Sequence, residues 1–90
     1  MNMERLPGGD LIEEGLRDLA AGQETVPALL VMIGAPRLTA LGLLIPPLSI
    51  GAEHRLYLRL SADDPMTAHS RYNALIRRLV SFERAAACVG

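Results

Sequence analysis

Residues 25–52 read TVPALLVMIGAPRLTALGLLIPPLSIGA and carry a single charge, Arg37. A run of that composition has to be hidden from water, and its glycines and prolines decide how. A membrane span needs about 20 continuous apolar residues, whereas this stretch is broken by Arg37 and by Pro27, Pro36, Pro46 and Pro47. It reads as the core of a small protein, cut into two or three short buried elements, and no membrane insertion is expected.

Within it, Thr25 opens an element in which Pro27 is tolerated in the first turn. Ala28, Leu29, Leu30, Val31, Met32 and Ile33 are apolar all round, as a central buried helix would be, and a buried strand of the same length is the rival reading. After Gly34 the pair Ala35-Pro36 restarts a short helix through Leu41, closed by Gly42. Residues 25–42 are thus expected to form a tight helix-turn-helix in the loose geometric sense. Two adjacent prolines remove donors and clash with the preceding turn, so Leu43 to Ile50 is expected to be an extended connection.

Upstream of this core, Asp10 with Glu13 three residues on has the form of a capping box, and Leu11, Ile12, Leu16 and Leu19 make one apolar stripe that Gly22 ends. Residues 1–9 read as a flexible leader; Glu4, Arg5 and a Pro-Gly-Gly run take the place of the apolar centre that a secretory signal has. Downstream, Leu56, Leu58 and Leu60 alternate with Tyr57 and Arg59 as in a strand, but Leu56, Tyr57 and Leu60 also share a helical face. No second alternating run offers a partner strand, so 54–61 is read as helix, with an α+β fold as the alternative. Asp64 as cap and Pro65 at the first helical position start a last helix running to about Ala87. Ala68, Tyr72, Leu75, Leu79, Phe82, Ala86 and Val89 form its heptad seam, widened by Ile76, and Ser70, Arg71, Asn73, Arg77, Arg78, Ser81 and Arg84 stand on the opposite face.

The chain has 90 residues and a mass of 9.7 kDa, enough for one domain over 10–90 and no second. Surface scaling lets a chain of this size bury roughly 64% of its unfolded surface, yet half of its residues are hydrophobic. Apolar surface is left over, and a second copy in a two-fold dimer covers it most simply. Net charge is −1, all nine basic residues are arginine, and a chain without lysine most simply reflects a GC-rich coding bias. Residues 1–52 hold three Arg against six acids and residues 53–90 hold six Arg against four, so the halves attract, but no basic stripe of the kind that nucleic acid requires is present. Cys88 is the single cysteine, which excludes a disulfide framework within the chain and suits a reducing cytosol.

Chemistry is thinly signalled. His69 and Ser70 are neighbours on a helix and diverge by about 100°, which rules them out as a nucleophile–base pair. No paired Cys, His four from His, or Glu-x-x-His marks a metal site, and Gly8-Gly9 lacks the strand and lysine of a phosphate loop. The expected fold is an all-α bundle of four to five helices, assembled as a homodimer through Tyr72, Leu79 and Phe82. Its expected role is that of a small cytoplasmic bacterial accessory or regulatory module that binds an unidentified protein partner through Arg71, Arg77, Arg78 and Arg84, without catalysis, metal or cofactor. Two alternatives stay open: a nucleic-acid-binding regulator using the 25–42 segment, which needs those arginines and Arg37 on one continuous face, and a small enzyme or ligand-binding subunit in which His54, Asp64 and His69 converge.

Overall fold

Residues 3–45 and 51–89 are described by the computed structural model, and every regular element among them is helical. A 3-10 turn at Met3–Arg5 precedes α1 (Gly9–Ala20), α2 (Val26–Ala40), α3 (Ala52–Asp63) and α4 (Ala68–Val89). Both segments that had a strand alternative, 28–33 and 54–61, are helix, so the fold is all-α.

α2 is the axle of this arrangement. Thr25 caps it, accepting the Ala28 N–H at 3.3 Å while its hydroxyl donates to Asp18 at the end of α1. Ala28, Leu29, Leu30, Val31 and Met32 are buried in succession, which a helix permits only if neighbours surround it, and α1, α3 and α4 all pack on it. The helix-turn-helix expected over 25–42 does not form: α2 runs unbroken through Gly34 and Pro36 to Ala40. Continuation buries Leu38 completely in the core, against the loss of the one hydrogen bond that Pro36 cannot give to the Met32 carbonyl. Gly34 marks a close contact instead of a break, since a Cβ there would lie 2.7 Å from Leu79 Cδ1 of α4.

The helix ends follow capping chemistry. Gly22 (φ +75°) and Gly42 (φ +97°) take the left-handed conformation just past α1 and α2. In each case the paired bonds of a Schellman motif form: Gly22 N–H to Leu19 O with Gln23 N–H to Asp18 O, and Gly42 N–H to Thr39 O with Leu43 N–H to Leu38 O. Of the extended connection expected at Leu43 to Ile50, residues 43–45 are non-helical and residues 46–50 lie outside the described residues.

Two helix starts differ from expectation. Asp10 is not the cap of α1; the helix begins at Gly9 after a left-handed Gly8, with no side-chain cap. Gly8 presses on α4, where a Cβ would come within 2.7 Å of the Arg78 carbonyl oxygen, and Asp10 points out to pair with Arg78 at 3.0 Å. Met3 and Leu6, within the segment read as a leader, pack against the core. Asp64 likewise does not start α4. It ends α3 and accepts the Met66 N–H and the Thr67 hydroxyl, both at 3.0 Å, so that an Asx turn intervenes and α4 begins at Ala68.

Across the turn, α3 and α4 are tied by Arg71–Asp63 at 2.7 Å and by an edge-to-face contact of Tyr57 with Tyr72, centroids 5.9 Å apart. Arg55 of α3 reaches back to Glu24 at 2.8 Å. The radius of gyration is 12.5 Å, close to the roughly 12 Å of a compact chain of this length. No described helix is long and apolar enough to cross a membrane.

Candidate functional site

α4 carries its apolar seam inward. Ala68, Leu79, Phe82 and Ala86 are buried and Tyr72, Leu75 and Ile76 are half-buried against the core. Phe82 is 0% exposed and Leu79 4%, so two of the side chains expected to meet a second copy are already consumed inside one chain. Tyr72, the third, rests on Tyr57, and burial first and the Glu53 charge second push its hydroxyl pKa up. The side chain of Val89 lies outside the described residues.

The four arginines of α4 are not brought into one row. Arg71 is bound to Asp63 and Arg78 to Asp10, each an ion pair to another helix, while Arg77 and Arg84 are exposed. Arg37 joins Arg84 alone, at the edge of a shared hollow. His54 is in the first turn of α3 and Asp64 caps its end, roughly 15 Å apart at 1.5 Å per residue. Asp64 is held by the turn it caps, and His69 contacts Asn73 at 3.2 Å on the exposed surface. The three do not converge, and no group of three His, Cys, Asp or Glu among the described residues is placed to hold a metal ion.

What the structure does build is a groove between α2 and α4. Gly34 faces Leu79 and Glu83, and further along Leu41 faces Arg84 and Ala87, so the two helices run in the same direction. Alongside the close contact at Gly34 and further along the pair lie two adjoining hollows. One, of about 330 Å³, is walled by Ile33, Pro36, Ile76 and Val80; the other, of about 270 Å³, by Ala40, Leu41 and Ala87. Arg37 and Glu83 belong to both.

Glu83 is the buried acid among the described residues, only 7% exposed, at the floor of this groove. No hydrogen bond or ion pair from a described residue reaches its carboxylate, and its oxygens are not sealed from the groove. Burial pushes its pKa up, and the Arg37 charge opposes that shift. The site therefore combines apolar walls, a desolvated acid in the floor, and Arg37 and Arg84 at the rim. Glu83 belongs neither to the inward seam nor to the polar face that the heptad pattern defines. Its signal is a second stripe beside the first: Asn73, Ile76, Val80, Glu83 and Ala87, alternately three and four apart.

No family model, no curated protein and no solved structure matches the chain.

Proposed function

We propose that this chain is a small cytoplasmic accessory or regulatory module that acts through protein–protein contact, as a homodimer, without chemistry of its own. The observation that carries this reading is the α2–α4 groove. α2 is apolar except for Arg37 and Thr39, and its exposed residues are those two with Pro36 and Ala40; along Pro36, Ala40 and the half-buried Ile33 the open wall continues onto Ile76 and Val80 of α4. Closing that flank with a second copy removes apolar surface from water at about 25 cal/mol per Å². The contact surface is then formed by Ile33, Ile76 and Val80, with Leu79 lining the same hollow. An exposed Cys88 suits a reducing compartment.

A nucleic-acid partner is less well supported, because Arg71 and Arg78 are engaged with acids and Arg77 stands apart from the rim that Arg37 and Arg84 share. Sedimentation velocity from micromolar to millimolar concentration tests the reading. The wild type is expected to pass from monomer to dimer, and Val80→Glu, which puts a charge on the groove wall, to stay monomeric with unchanged helical circular dichroism. A wild type that is monomeric at millimolar concentration would sink it.

A further inference from the structure

Resting on the self-association just proposed, we infer that the second copy enters the groove with its α4 parallel to the first, so that Arg84 of each copy pairs with Glu83 of the other. The starting point is the Glu83 side chain, more than nine-tenths buried and lining both hollows of the groove, which feels the Arg37 charge but has no hydrogen bond or ion pair from a described group. A desolvated charge of this kind calls for a cation.

The order of side chains around α4 says where that cation comes from. Successive residues turn by about 100°, so with Glu83 as origin Ile76, Ala87 and Val80 follow at roughly 20°, 40° and 60° and Arg84 at about 100°. Across its open flank the helix thus reads acid, apolar, arginine. Two copies related by an axis along the helices meet with opposite edges, acid to arginine on both sides and apolar strip to apolar strip between them. Two copies related by an axis across the helices meet with like edges, which sets arginine against arginine and leaves both acids unpaired. Charge complementarity selects the first.

It also selects the arginine. Arg71 and Arg78 are bound to Asp63 and Asp10, and Arg77 stands about 9 Å along the axis from Glu83 at 1.5 Å per residue. Arg84 is the next residue, at nearly the same height. Arg37 of the same copy lines the groove with the carboxylate and acts on it through its charge without a hydrogen bond, which leaves the carboxylate oxygens to accept from the Arg84 guanidinium of the second copy.

The test is a charge-reversal cycle read by sedimentation equilibrium, together with cross-linking of the native Cys88, which is exposed near the end of α4. Glu83→Arg and Arg84→Glu are each expected to raise the dimer Kd at least tenfold, and the double variant to return it to within about threefold of wild type. A short bis-maleimide is expected to join two Cys88 in the wild-type dimer, because a parallel axis brings the helix ends together; an antiparallel pairing centred on Val80 holds them about 24 Å apart at 1.5 Å per residue. Should Glu83→Arg lose its helical circular dichroism, Glu83→Gln and Arg84→Gln replace the reversals, each expected to weaken the dimer several-fold and to reduce its salt dependence. A dimer that these changes leave unaltered, or one without a Cys88 cross-link, overturns the pairing while self-association stands; a monomeric wild type overturns both.

Discussion

A methyl group at Gly15 would sit 2.3 Å from the Pro27 carbonyl oxygen and 2.5 Å from Val31 Cγ2, so α1 and α2 cross there with backbone against backbone. Gly15→Ala gains helix propensity of about 1 kcal/mol, but overpacking against an immovable carbonyl costs about 1–3 kcal/mol or more. A 2.3 Å approach to backbone puts the cost at the upper end of that range, so net destabilisation of about 2 kcal/mol is expected in urea unfolding. At Gly34 the nearest obstacle is the end of the Leu79 side chain, which can turn aside, so alanine there costs less. Neither role was legible in the sequence: a glycine that lets helices approach and a glycine that ends a helix look alike until the neighbour is known. Gly22 and Gly42 were legible because each follows an apolar run that has to stop. Glu83 was hidden for a related reason, since an acid beside a heptad seam is solvated unless the adjoining helix comes as close as Gly34 allows.

At the scale of elements, helix identity followed from periodicity, and helix boundaries did not. The stripe of α1, the helical reading of 54–61 and the seam of α4 are all present. The division of 25–42 failed because Gly34 and Pro36 were read by local preference, whereas the burial of Leu38 outweighs the lost hydrogen bond. Asp10 and Asp64 were read as helix caps, but the first is drawn outward to Arg78 and the second closes a turn between helices. Substitution of Pro36 separates the two readings of α2. Inside a continuous helix and exposed at its surface, Pro36→Ala is expected to stabilise the monomer by about 1–2 kcal/mol. At the first position of a separate helix proline is favourable, and the same change would leave stability unaltered or lower it.

For the whole molecule, the charge imbalance between the halves has a structural counterpart. Two of the described ion pairs, Asp10–Arg78 and Glu24–Arg55, join residues 1–52 to residues 53–90. Both are exposed enough that each is worth about 0–1 kcal/mol, so they orient the halves while the core around α2 supplies the stability. Leftover apolar surface was expected from composition alone, but its location was not, because the seam that looked available on α4 is the one that α2 and α3 cover. Leu58, 53% exposed on α3, is one of several apolar side chains on the outside, with Tyr57, Leu44 and Met66, which makes the identity of the contact face the central question. The most direct answer comes from amide chemical shifts of the labelled chain followed on dilution from millimolar to micromolar concentration. A groove interface predicts concentration-dependent shifts over residues 33–41 and 76–87, with residues 53–62 unchanged. Shifts centred on Tyr57 and Leu58 of α3, or none over the whole range, would contradict it.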